Sequence, residues 1–192
     1  MVYAGISNSL AILILNFLTN YFFFLGPIFL LIINMIILES TLVYSVKRQT
    51  KFILLYGIVL LAGMIILVLM GVVFDKSLKP LLGIQIINGG PKWGLIFFFY
   101  VITVVSCFTI IPVIYTNFKI YYQFESNELK RKWRYYLIGF LGLAYIFYSL
   151  CVYNILDPVK DSDFRILISL LSVSVILWGY LMYNGIGAKL KL

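Results

Sequence analysis

FILLYGIVLLAGMIILVLMGVVF, residues 52–74, decides which solvent this chain folds in. The run holds no charge and no side-chain amide, and it is bounded by Lys51 before it and Asp75 and Lys76 after it. A helix rises about 1.5 Å per residue, so a run of about 20 apolar residues crosses the roughly 30 Å of hydrocarbon in a bilayer. Four further runs meet that length: residues 21–46, 94–116, 135–153 and 166–183. In hydrocarbon every backbone N–H and C=O needs an internal partner. The runs are too long and too evenly apolar for barrel strands with alternating faces, so helices are predicted. The expected fold is all-α, a polytopic membrane helical bundle of five or six transmembrane helices forming one integral membrane domain over residues 1–192.

Composition agrees. Of 192 residues 63 % are hydrophobic and the mean hydropathy is +1.05, more apolar surface than one soluble core of this size encloses. The formal charge of +8 raises the question of nucleic acid, but the cations sit between the apolar runs, where they orient a membrane protein. The lipid bilayer is the expected partner, nucleic acid is not, and a protein partner or a homo-oligomer in the membrane stays open.

Orientation follows from the loops. Lys47, Arg48, Lys51, Lys119, Lys130, Arg131, Lys132, Arg134, Lys189 and Lys191 fall on one side; Lys76, Lys79, Lys92, Lys160 and Arg165 fall on the other. The excess predicts a multi-pass cell-membrane protein with the first group, and the C-terminus, in the cytoplasm. The start is ambiguous, because residues 1–46 contain no Lys or Arg. Asn20, followed by Gly26-Pro27, reads as a break between a short span at 3–19 and a second one ending at 46. Alternatively, residues 1–20 lie in the interface or form a partial hairpin. The first apolar run has no basic leader and no small-residue cleavage site, so no cleaved signal peptide is expected.

Two connections carry detail. Residues 75–93 contain Pro80, Gly83, Gly89, Gly90 and Pro91 around an apolar middle, Leu81 to Ile87. They read either as a flap over the bundle or as a segment lying on the headgroups. At the opposite surface Ser126 is placed to cap a helix opening with Asn127 and Glu128 and continuing through Trp133 and Tyr135 into the membrane. Lys130, Arg131, Lys132 and Arg134 then reach headgroup level and are expected to contact anionic lipid. Trp93 and Trp133 are expected in the interfacial belts.

The chemistry is limited by what is missing. With no histidine, bis-histidine haem, His-ligated zinc and Ser–His or Cys–His nucleophile pairs are excluded. Two cysteines, Cys107 and Cys151, supply neither a disulfide framework nor a metal cluster and read as packing residues. No phosphate-binding glycine loop is present. The expectation is a non-catalytic protein without cofactors or metals.

Glu39 is the one acid well inside an apolar run, about 12 Å of helix before Lys47. A carboxylate there faces the bundle, is protonated, or finds a cation. Its functional reading is a proton or ligand site, which would suit a small transporter or proton-coupled channel. Its structural reading is a bond to a Tyr or Ser of a neighbouring helix, or to Arg48. Hydroxyls and small residues recur at helical spacing elsewhere: Tyr100, Thr103, Ser106 and Cys107; Gly142, Tyr145, Tyr148 and Ser149; Ser169, Ser172, Gly179 and Tyr183. These stripes either knit helices together or line a ligand cavity, with Tyr100, Thr103, Ser106, Tyr145, Ser149 and Ser172 as candidate contacts. Pro112 is expected to disturb its span.

FKIYYQFESNELKRKWRYYLIGFLGLAYIFYSLCVYN (118–154), followed by FRILISLLSVSVILWGYLMYNGIG (164–187), resembles the multi-helix membrane modules at the N-terminus of archaeal and bacterial sensor histidine kinases. The likeness covers about residues 94–187 and rests on a basic loop, Lys130 to Tyr135, leading into the penultimate helices. The chain holds no phosphoacceptor histidine and no ATP-binding domain. The resemblance therefore implies a stand-alone or truncated sensory module, sensor-like and without catalysis. Together these readings give a sensory or scaffolding membrane module that binds an apolar ligand or partner helices. A small transporter using Glu39, and an accessory subunit of a larger membrane complex, are the alternatives.

Overall fold

A computed structural model describes residues 9–43, 45–73, 81–87, 90–157 and 160–186. The order is α1 (Ser9–Val43), α2 (Val46–Val73), β1 (Ile84–Ile87), β2 (Gly90–Trp93), α3 (Leu95–Val105), a π-helical stretch (Ser106–Ile110), α4 (Ile111–Gln123), α5 (Asn127–Ile155), α6 (Ser162–Ser172) and α7 (Val175–Ile186). Among these residues five helical segments are long and apolar enough to cross a membrane: Leu10–Glu39, Val46–Gly71, Leu95–Gln123, Asn127–Ile155 and Ser162–Ile186. The fold is an all-α bundle of the polytopic membrane type.

The break expected at Asn20 is absent. Asn20 sits inside one continuous 35-residue helix, where its Nδ2 donates to the Asn16 carbonyl at 2.6 Å. An amide that bonds the turn before it is satisfied within a helix and gives no reason to stop. Pro27 is also accommodated. It removes the N–H that would bond the Phe23 carbonyl, and beside that gap Tyr56 of α2 donates to the Phe24 carbonyl at 2.7 Å. Over the described residues 9–43 one long helix thus takes the place of a break at Asn20; residues 3–8 of the expected span at 3–19 lie outside the described residues.

Pro112 acts through its neighbourhood. In the π-helical stretch the ladder widens, so that the Ile111 N–H reaches the Ser106 carbonyl five residues back. Thr109, fully buried there, returns its hydroxyl to the Val105 carbonyl at 2.6 Å. The last span also changes pitch midway, with a turn at residues 173–174 between α6 and α7.

The connection after α2 is a two-stranded antiparallel hairpin that pairs Ile84 with Trp93 and Ile87 with Gly90. It is tucked onto the bundle and does not lie on a surface. Gly83 adopts φ +76° and packs against Leu67, Val68 and Gly71 of α2, a conformation and an approach that exclude a side chain. Gly94 closes the hairpin through its N–H to the Gly83 carbonyl at 2.8 Å. The flap alternative is therefore the one realised, for residues 81–87 and 90–94; residues 75–80 and 88–89 lie outside the described part.

Trp93 and Trp133, expected in the interfacial belts, are both turned into the protein. Trp93 is 2 % exposed and donates its Nε1 to Asn16 Oδ1 of α1 at 3.2 Å. Trp133 is 5 % exposed and donates to the Asn117 carbonyl at 2.9 Å. Each indole has found a buried acceptor within the protein. The main core joins α1, α2, α3, α4, α5 and the hairpin around Phe24, Tyr56, Trp93, Phe97, Val101 and Phe140.

Candidate functional site

Three features compete for a functional role: Glu39, a buried polar cluster and an apolar groove. Glu39 stands near the end of α1, and its Oε2 accepts from Arg48 Nη1 at 2.9 Å across the turn into α2. Both side chains are partly exposed on the outside of the bundle, 29 % and 46 % respectively. The carboxylate is therefore not turned into the bundle, and the Arg48 alternative is the one the structure displays. An exposed ion pair of this kind contributes at most about 1 kcal/mol.

The polar cluster joins α1, α4 and α5. Asn34, fully buried, donates Nδ2 to Thr116 Oγ1 at 3.0 Å and to the Val113 carbonyl at 3.3 Å. Its Oδ1 accepts from the Tyr136 hydroxyl at 3.2 Å. The same Val113 carbonyl accepts from Asn117 Nδ2 at 2.9 Å. Asn117 Oδ1 is buried without a hydrogen-bond partner. No charge is present in the cluster, so it can fix helix positions but has no group suited to proton transfer. Asn34, Thr116, Asn117 and Tyr136 leave no joint signal in the sequence. The partners are 79–102 residues apart and share no local pattern.

The hydroxyl stripes do not converge on one cavity. Tyr100 crosses to α2, where its hydroxyl donates to the Val59 carbonyl over Gly63, a position with no room for a Cβ. Ser106 and Tyr148 meet at 2.7 Å, linking the π-helical stretch to α5. Thr103 is exposed, Tyr145 is 56 % exposed and Tyr183 is 66 % exposed, all on faces turned away from the bundle. Ser149 is half-buried, and Ser172 donates to its own helix at the Ser169 carbonyl, 2.6 Å. Tyr100, Ser106 and Tyr148 therefore knit helices, while Thr103 and Tyr145 face what surrounds the protein. Cys107 is exposed and Cys151 buried, and both are free.

The groove is lined instead by apolar residues. It has a volume of 610 Å³ and lies between α1, α5 and the α6–α7 turn. Phe22, Phe23, Gly26, Pro27 and Leu30 form one wall; Phe140, Leu143, Ala144, Phe147 and Leu150 form the second; Ser172 and Val175 close it. Gly26 is part of the reason the space exists, because a Cβ built there meets nothing within 4 Å. Phe23 stacks on Phe147 with centroids 5.9 Å apart, and Phe24 meets both Phe147 and Trp93 edge-on. An aromatic chain thus runs from the groove to the hairpin. Ser172 is the one sequence candidate that lines this space.

At the basic end, α5 starts after Ser126 and runs unbroken to Ile155. Ser126 occupies the capping position, but only its carbonyl takes part, accepting the Lys130 N–H at 3.0 Å. Lys132 pairs with Glu128 at 3.0 Å, Arg131 and Arg134 are exposed, and Lys130 is half-buried. Among the described residues no group of His, Cys, Asp or Glu is arranged to hold a metal. Comparison with protein-family models, curated proteins and solved structures returns no match.

Proposed function

We propose that this protein is a non-catalytic membrane module, sensory or scaffolding in role, that holds an apolar, lipid-like chain in the groove between α1, α5 and the last span. One observation carries the reading. A 610 Å³ space lined by aromatic and aliphatic side chains lies between helices that otherwise pack closely, and a glycine and a proline of α1 help form its wall. Volumes of about 300–1,000 Å³ with mostly apolar linings are typical of small-molecule sites. The aromatic chain from Phe147 through Phe24 to Trp93 supplies contiguous packing by which an occupied groove would bear on the hairpin. On the positive-inside rule, the basic turn at residues 45–51, the residues around Lys130 and the C-terminus face the cytoplasm, and the hairpin faces outward. That placement is also the topology expected of the sensor-kinase membrane modules the sequence resembles.

The test is photolabelling. Delipidated protein reconstituted with a diazirine-bearing fatty acid should be labelled on α5 around Leu143 and Phe147. Gly26→Phe, whose Cβ meets nothing within 4 Å, places a ring at the groove wall and should lower that labelling about tenfold. Equal labelling of wild type and Gly26→Phe would remove the groove from consideration. A second reading, as a subunit of a larger membrane complex, draws on the last span, of which only 6 % is buried within the protein. A native mass of 22.1 kDa after mild extraction would count against it.

A further inference from the structure

A second, smaller space lies at the basic end of the bundle. It measures 230 Å³ and is bordered by Ile37 of α1, Phe124 just after α4, Leu129, Lys132 and Trp133 at the start of α5, and the end of α7 at Ile186. Five of these residues are apolar or aromatic, and one is a cation. Ile37 and Ile186 are 42 % and 43 % exposed, so the apolar walls continue onto the outer face of the helices. Lys132 is the cation of the lining; Lys130, Arg131 and Arg134 stand on the same turns of α5, Glu125 and Glu128 are the nearby acids with Glu128 on the Lys132 ammonium at 3.0 Å, and Glu39 beyond Ile37 is paired with Arg48. Four cations against two carboxylates over residues 124–134 leave a net positive charge beside an apolar floor, with Lys132 the cation that lines it.

From this arrangement we propose that the space is a binding site for the head-proximal part of one anionic phospholipid, its phosphate drawn to Lys132 and its chains descending along Ile37 and Ile186. A soluble anion would gain nothing from the apolar walls. A neutral lipid would gain nothing from Lys132, the one cation in the lining, which at headgroup level is worth about 1 kcal/mol toward an anionic headgroup. The matching of one amphiphile to both parts is what singles out this class of ligand. Glu128 is 65 % exposed, so it can yield the ammonium to a phosphate without being stranded in hydrocarbon. The inference requires only that the chain is embedded in a bilayer, and it stands whether or not the larger groove is occupied.

Native mass spectrometry of the full chain, released from mixed micelles containing either phosphatidylglycerol or phosphatidylcholine, tests it. Wild type should retain one phosphatidylglycerol in preference to phosphatidylcholine. Lys132→Gln should lower that retention about fivefold, the equivalent of about 1 kcal/mol. Lys132→Arg should preserve it, and Ile37→Trp, which fills the space without altering charge, should abolish it. Arg131→Gln and Arg134→Gln, whose side chains are exposed outside the space, should stay within twofold of wild type. Each variant is compared at matched melting temperature, so a misfolded protein is recognised as such. Equal losses at Lys132, Arg131 and Arg134 would mean a diffuse basic belt and overturn the site. So would retention that ignores headgroup charge, retention that survives Ile37→Trp, or retention of inorganic phosphate alone in place of the lipid.

Discussion

The first four spans and the last one are held by different means. Among α1 to α5 the helices exchange hydrogen bonds at membrane depth: Tyr56 to the Phe24 carbonyl, Tyr100 to the Val59 carbonyl, Ser106 with Tyr148, and Asn34 with both Thr116 and Tyr136. The last span leans on α5 by close packing. Gly139 faces the Trp178 carbonyl and the backbone of Met182, Gly142 lies under the Trp178 indole, and Gly185 abuts the backbone of Tyr136. Its polar anchor is at the hairpin end, where Arg165 lies 4.1 Å over the Tyr153 ring and reaches the Leu156 carbonyl at 3.5 Å. In hydrocarbon no hydrophobic force pushes helices together, so small residues and interhelical hydrogen bonds remain as the two routes to association. This molecule uses the second route for its centre and the first for its periphery, and the apolar groove lies where the two regimes meet.

The sharpest way to break the peripheral regime is Gly139→Val. A side chain there collides with backbone, which cannot rotate aside, so a loss of about 3 kcal/mol or more and release of α7 from α5 are expected. Thermal unfolding in detergent, with the near-ultraviolet dichroism of Trp178, reads both; an unchanged spectrum would mean that the span is held by something other than close approach. The central regime is addressed by Asn34→Leu, which strands the Tyr136 hydroxyl and should cost about 1–3 kcal/mol. Combined with Tyr136→Phe, the loss should be smaller than the sum of the two single losses, because both remove the same bond. A smaller effect is expected from Tyr56→Phe, about 0.6–2 kcal/mol in the same melting assay, from the single bond to the Phe24 carbonyl beside the Pro27 gap. Smallest is Glu39→Gln, about 0.5 kcal/mol or less, with ion flux into liposomes unaltered. A flux that falls with this substitution would restore Glu39 to a transport role.

The legible part of this fold is the part governed by length and charge. Runs without ionisable groups became helices, and cations gathered in the connections, because the bilayer imposes both locally. What was misread depended on distant partners. Asn20 looked like a break because an asparagine in isolation favours turns, but its amide serves the helix it sits in. Trp93 and Trp133 turn inward because Asn16 and the Asn117 carbonyl, 77 and 16 residues away, supply buried acceptors. Tyr145 and Thr103 fell on plausible stripes, but helical spacing says which residues share a face and not which way that face points. The hairpin did leave a local trace, the Asn88-Gly89 pair flanked by Ile84–Ile87 and Gly90–Trp93, a dipeptide favoured between antiparallel strands. The groove left almost none, since Gly26 signals equally a turn or an absence of bulk.

The wide turn at Ser106–Ile110 has a bearing on which changes of chain length this protein can survive. A π-helical turn holds one residue more than the helix around it, and each residue rotates a helix by about 100°. The widened turn takes up that extra residue, so the helix before and after it keeps one phase, with Tyr100 on Val59 and Thr116 on Asn34. Deleting one residue inside the stretch would let it close to ordinary pitch with both contacts kept, whereas the same deletion in the regular helix between it and Thr116 would rotate Thr116 by about 100° away from Asn34.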